Sequence, residues 1–230
     1  MDQIRDEAGE RPSVELEEPD VSIHASIIQD EVTFGIDLSG RSLHRRGYRI
    51  EGSFAPLKET LAAAMLWRAE WQKLMHAGQL FDPMCGSGTF LIEAALMAGD
   101  IAPNLNRTYY GFLGWKGHDA KAWEGLQEEA LRRRDKGINK IPTIFGIDSD
   151  GRAVNVARRN LERAGLSGKI QVYQQRFQDF RGLADKADTG LVIVNPPYGE
   201  RLGVTEELQD LYAELGQQMK THFAGWSASV

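Results

Sequence analysis

The run Leu191-Val192-Ile193-Val194-Asn195-Pro196-Pro197-Tyr198 decides how this chain should fold. Four apolar residues read as a strand with both faces buried, and two prolines end it because neither can donate to a sheet ladder. Open α/β sheets carry their chemistry where such strands run out. The prolines also fix the backbone between an amide side chain and an aromatic ring, which suits holding a flat, amine-bearing base.

Working outward, the pattern predicts strands at Gln79–Met84, Thr143–Ile147, Ile170–Gln175 and Leu191–Asn195, with a further strand opening at Trp226–Val230. Helices are expected from after Pro56 through Trp71, and at Gly88–Ala98, Asp150–Ala164 and Glu206–Thr221. Ser149 or Asp150 would cap the third of these and Gly165 would end it. Strands alternating with helices imply right-handed parallel crossovers and a doubly wound, Rossmann-like α/β sheet. On this reading the chain stops before its last strands are complete. Residues 99–142 interrupt the rhythm as an insertion, with Tyr109-Tyr110-Gly111-Phe112 and Trp115 followed by a helix over Asp119–Lys136. Ahead of the sheet, apolar alternation around Val21–Ile27 and Val32–Leu38 across Gln29-Asp30-Glu31 predicts a β-hairpin. About 40 residues are too few for a separate core, so the hairpin is expected to be the end of a domain that begins elsewhere.

The loop Asp82-Pro83-Met84-Cys85-Gly86-Ser87-Gly88-Thr89 joins the first sheet strand to its helix, where small residues admit a ligand to the backbone and to a helix N-terminus. Asp148 closes the next strand, where a carboxylate can accept from both ribose hydroxyls. Asp179 lies beyond the third, where it can accept from an adenine amine while Phe177 covers the ring. The loop lacks the Gly-Lys-Ser/Thr of a phosphate-binding P-loop. It also departs from the dinucleotide fingerprint, because no glycine stands three residues after Gly88, where Thr89-Phe90-Leu91-Ile92-Glu93 follows, and the acid is far downstream. S-adenosylmethionine has no phosphate and needs only close backbone approach plus these carboxylates. Cys85 is read as small packing in this loop in preference to a nucleophile. The five histidines are scattered and no Cys/His set has metal-ligand spacing, so no metal is expected.

Bulk properties set further bounds. At 230 residues the chain can bury a large core, and no apolar stretch approaches the roughly 20 residues of a membrane span. The acidic segment Met1–Asp20 has no apolar signal-like region, and one cysteine precludes an internal disulfide, which together fit a cytoplasmic protein. The net charge of −6 is unevenly spread, with 11 acids against 2 arginines in residues 1–40. Arg41-Ser42-Leu43-His44-Arg45-Arg46-Gly47-Tyr48-Arg49 then holds four arginines and no acid. Such a segment can contact phosphates and stack on bases, so Arg45, Arg46, Tyr48 and Arg49 are candidate RNA contacts; a solvated basic linker facing the acidic segment is the alternative.

The cofactor loop together with Asn195-Pro196-Pro197-Tyr198-Gly199-Glu200-Arg201-Leu202 resembles the class I methyltransferases of ribosomal RNA, and among them the RlmL family of bacterial 23S rRNA guanine-N2 methyltransferases, which includes the RlmL half of RlmKL. Pro19-Asp20-Val21, Asp37-Leu38-Ser39-Gly40 and His44–Arg49 resemble the end of that family's THUMP RNA-binding domain and its junction to catalysis. Gly111–Trp115 and Gly117-His118-Asp119 resemble its insertion. The resemblance implies a partial THUMP unit over 1–45 and a methyltransferase domain over 46–230, incomplete at its C-terminus. It assigns Asp82 to Gly88, Asp148, Phe177 and Asp179 to S-adenosylmethionine and Asn195, Pro196, Pro197 and Tyr198 to the target base. It also implies a 23S rRNA partner, as naked RNA or an assembly intermediate, and a second methyltransferase domain in the longer protein. The same motif serves adenine-N6 methylation of DNA or RNA and glutamine-amide methylation, since all present a planar amine. A non-catalytic RNA-binding fragment is a reading of another class.

Overall fold

A computed structural model of the chain describes residues 5–7, 9–10, 19, 21–49, 57–183, 187–196 and 205–230. They divide into two compact units, Met1–Leu43 with Asn106–Leu126, and His44–Leu105 with Gln127–Val230.

In the first unit, strands β1 (Ser22–Ile28) and β2 (Glu31–Asp37) pair antiparallel with Ile28 opposite Glu31. Gln29 and Asp30 both take positive φ, 50° and 63°, which makes the two-residue turn whose twist matches its strands. Glu31, grouped with the turn by sequence, is already in the ladder. The segment 106–126 belongs to this unit, so the front half of the insertion keeps company with the hairpin. Arg107 fastens it: its guanidinium donates to the carbonyls of Ser39 at 2.8 Å, Arg41 at 2.6 Å and Tyr109 at 2.6 Å. The Phe112 amide donates to Leu38 O, and Gly111 must be glycine because a Cβ there would stand 2.8 Å from Asp37 O.

The second unit is a five-stranded parallel sheet: β3 (Gln79–Asp82), β4 (Ile144–Asp148), β5 (Gln171–Gln174), β6 (Gly190–Ile193) and β7 (Ser227–Ser229), in the order β5-β4-β3-β6-β7. Along β3 and β6 alternate side chains enter opposite layers. Leu80, Leu191 and Ile193 pack with α1 (Glu59–Arg68), α3 (Thr89–Ala98) and α5 (Gly151–Arg163). Phe81, Val192 and Val194 pack with Leu215 and Phe223 on the other face, served by α6 (Thr205–His222). Rings stack in that second layer, with Phe81 4.5 Å from Phe145 and 4.9 Å from Phe180. The helix expected to run through Trp71 is broken. Glu70 takes a left-handed conformation at φ 60° and α2 (Trp71–Leu74) restarts after it, which sinks the Trp71 indole fully into the core to donate to Ala94 O at 3.0 Å. A further helix, α4 (Ala120–Gly137), lies within the insertion and precedes β4 in the chain.

The basic junction is largely turned inward, which corrects three of the four candidate RNA contacts. Tyr48 is 3% exposed and its hydroxyl donates to Glu93 Oε1 at 3.0 Å, while Arg46 lies 3.5 Å from Glu93 Oε2. Arg49 donates from Nε to Glu59 at 3.1 Å and from Nη2 to Leu57 O and Thr89 Oγ1. Glu59 and Glu93 are themselves buried, so these arginines answer carboxylates that would otherwise be stranded away from water. Only Arg45 of the four remains exposed. Tyr48→Phe should lower stability by about 1–2 kcal/mol, and Glu93→Ala by about 3–5 kcal/mol because it strands Arg46; urea unfolding of the two variants measures the difference.

Candidate active site

In sequence order β3 comes first, the chain then builds β4 and β5 to one side, and it crosses back to add β6 and β7 on the other. The gap between β3 and β6 is therefore the switch point of the sheet, where the loops leaving adjacent strands diverge. Phe81 pairs with Val192, so Met84 in the cofactor loop and Asn195 after β6 each stand three residues past that level.

The loop is held by named contacts. The Gly86 amide donates to Asp148 Oδ2 at 2.9 Å, and Asp148 Oδ1 accepts from the Asp150 amide at 2.9 Å. The Cys85 amide donates to Ile147 O, and Asn160, buried in α5, donates from Nδ2 to Ser87 O at 2.9 Å. The two loop glycines have different reasons. Gly88, at φ +80°, would bring a Cβ 3.2 Å from the Ala157 Cβ, so it lets α5 pack close. Gly86, at φ +53°, would meet nothing within 4 Å, so its backbone faces open space. Gly146 in β4 is the third requirement: a Cβ there would press on Leu91 at 2.7 Å and on Cys85 at 2.9 Å. Cys85 is thus packed against the strand, and burial, helped by the charges of Asp82 and Asp148, pushes its thiol well above the usual range. It is no thiolate nucleophile.

Asp82 is 1% exposed, and burial raises its pKa to about 8 against the opposing bond from the Met84 amide, with the Asp148 charge adding to the rise. No cation counters it among these influences. The Asp148 carboxylate beside an open glycine backbone would repel a phosphate, and a cationic group brought to the loop would draw the proton off the buried Asp82, so the loop fits S-adenosylmethionine with its ammonium and sulfonium groups better than a nucleotide phosphate. Asp179, in the turn after β5, is exposed and its carboxylate has no partner among the described residues. Phe177 is a correction: at 4% exposure its ring lies in the aromatic layer near Phe81 and Phe180, so it is core and not a cover for adenine. Asn195 is half-buried and its side chain makes no hydrogen bond among the described residues, while Pro196 is buried. Pro197 and Tyr198 lie outside the described residues. Asn160, Gly146 and Glu93 escaped the sequence reading as site supports. Asn160 left a trace as a polar residue beside the apolar stripe Val154, Ala157, Leu161, and Gly146 left one as a glycine inside a strand.

A parallel sheet with this switch point, an acidic glycine loop and an amide side chain just past the neighbouring strand defines the Rossmann-like methyltransferases. Residues 46–230 match the RMKL-like methyltransferase domain and residues 1–37 match the THUMP domain, and the chain belongs to this S-adenosylmethionine-dependent family. It is 48% identical over 232 residues to a ribosomal RNA large subunit methyltransferase K/L of Syntrophotalea carbinolica, covering all of this chain and 32% of the relative. It is 51% identical over 230 residues to the protein of that name from Methylococcus capsulatus, again over the whole chain and 31% of the relative. The chain thus spans about a third of the length of the curated relatives it matches. Among solved structures it resembles a candidate methyltransferase complexed with SAH, at 36% identity and TM-score 0.83 over 98% of this chain and 57% of the other. It also resembles a predicted N6-adenine-specific DNA methylase from Listeria monocytogenes, at 38% identity and TM-score 0.79 over 90% and 52%.

The buried Asp82 sets a pH test with a definite sign. Its folded pKa lies above its unfolded value, so unfolding releases a proton and its contribution to stability falls as pH rises from about 4 to about 8. In Asp82→Asn, ligand-free unfolding free energy relative to wild type should climb through that window by up to ~1.4 kcal/mol per pH unit, measured by urea unfolding across pH.

Proposed function

We propose that this chain is the catalytic part of a methyltransferase acting on the exocyclic N2 amine of a guanine in 23S ribosomal RNA. The observation that carries the reading is Asn195, whose side-chain amide has no partner among the described residues and which stands at the switch point beside the cofactor loop. The name carried by the Syntrophotalea and Methylococcus relatives supports ribosomal RNA of the large subunit as substrate, and the THUMP match supports RNA over DNA or protein. The substrate would be met as naked RNA or an assembly intermediate in the cytoplasm. The roughly threefold length of the relatives is consistent with a second methyltransferase domain in the longer protein.

A guanine N2 lone pair is delocalised into the ring and is a poor nucleophile. If Asn195 Oδ1 and the Pro196 carbonyl accept its two N–H bonds, the nitrogen can pyramidalise and its lone pair can be aimed. S-adenosylmethionine supplies the electrophilic methyl group. Orientation is then the main contribution of the protein, with up to about 7–11 kcal/mol available to such positioning. The amine becomes acidic once it has a fourth substituent and loses a proton to solvent, so no strong base is required. Tyr198 would stack on the base, and the base must be single-stranded or flipped to enter. Asp82 and Asp148 with the Gly86 backbone would hold the cofactor, and Asp179 its adenine amine.

Labelled methyl transfer to undermodified 23S rRNA, followed by nucleoside mass spectrometry, should yield N2-methylguanosine. Methyladenosine would instead favour the adenine reading suggested by the name of the Listeria structure, and no transfer despite cofactor binding would favour the non-catalytic reading. Asn195→Ala should reduce transfer by at least ~100-fold while calorimetry finds S-adenosylmethionine affinity within a few-fold of wild type.

A further inference from the structure

With Arg46, Tyr48 and Arg49 turned inward, Arg45 is the exposed one of the four junction candidates, and further exposed arginines of the second unit lie on α5. Helix α5 carries four arginines and one glutamate in 13 residues, in a chain whose net charge is −6. At 100° per residue, Arg152, Arg159 and Arg163 fall within about 20° of one line along the helix. That line is opposite the buried stripe Val154, Ala157 and Leu161. All three arginines are exposed. Arg163 donates from Nη2 to Gly47 O at 3.1 Å, which brings the end of the row against the junction and within two residues of exposed Arg45. Arg159 and Arg45 have no side-chain partner among the described residues, and Arg152 has a loose contact at 3.4 Å to Asp150. The other basic residue of the helix, Arg158, is engaged with Val172 O.

From this row we infer that Arg152, Arg159, Arg163 and Arg45 form a track for the phosphate backbone of single-stranded RNA, an inference that rests on the RNA reading above. The row is about 16 Å from Arg152 to Arg163 at 1.5 Å per residue, which is about five nucleotides at 3.4 Å each. It begins just after Asp148 and runs past Asn160, which grips the cofactor loop, so a strand held there passes alongside the site. Arginines without partners lose no intramolecular bond when they take a phosphate, and their forked donors suit its oxygens. The track carries no base-reading group; it would set register and affinity and leave selection to the pocket.

The test is the double variant Arg45→Ala/Arg159→Ala in the whole chain, chosen because neither side chain holds another part of the fold. Binding to polyuridylate is measured by fluorescence anisotropy across a salt series. Loss of two phosphate contacts should flatten the slope of log K against log salt by about 1.4 and weaken binding about 10-fold at low salt. S-adenosylmethionine affinity should stay unchanged, reporting an intact α5 and loop. Unaltered affinity and slope would overturn the track, as would a wild-type chain with no polyuridylate binding at low salt. Polyuridylate contains no guanine, so this outcome is separate from the identity of the methylated base.

Discussion

The site depends on one carboxylate that ties two strand ends together. Asp148 accepts the Gly86 amide with one oxygen and the Asp150 amide with the other, so a single side chain fixes the cofactor loop of β3 to the start of α5. Without that tie, a loop with two glycines at positive φ would have little reason to keep one geometry. Asn160 and the close approach of Gly88 to Ala157 secure the same loop from the helix side, and Gly146 makes room for it from the strand side. The result leaves the Gly86 backbone open between fixed walls, the arrangement a ligand needs if it is to be bound without first ordering its own pocket.

Charge is arranged with the same economy. Asp148 beside a buried Asp82 that no cation counters among the described residues makes a corner that disfavours phosphate, and a cationic cofactor would shift Asp82 toward its charged form. Elsewhere the fold pairs what it buries: Glu93 with Arg46 and Tyr48, and Glu59 with Arg49. These pairs hold the junction to α1 and α3, and the bond from Arg49 to Thr89 reaches the residue that opens the helix behind the cofactor loop. Conformational freedom at the junction would therefore be felt at the cofactor.

Much of the architecture was legible from local pattern. The sheet strands, their helices, the cap at Asp150 and the left-handed Gly165 follow from apolar period, capping chemistry and glycine, all of which act over a few residues. The hairpin was legible for the same reason. The break at Glu70 was not, because periodicity continues through it and only the burial of Trp71 against α3 rewards the left-handed turn.

The sequence by itself determined the candidate chemistry: an acidic glycine loop after one strand, an acid after the next, and an amide followed by prolines where a buried strand ends. Those signals are short-range, and their spacing survives any detail of packing. Tertiary structure alone decided which polar and aromatic groups face the ligand side. Tyr48 meets Glu93 across 45 residues, and Phe177 finds the Phe81 ring on β3, far back in the chain, so composition at 45–49 reads as an RNA patch and Phe177 as a ring cover until those distant partners are in place. The physical reason is that burial of a charge or a ring is settled by long-range pairing and solvent exclusion, which no local pattern specifies.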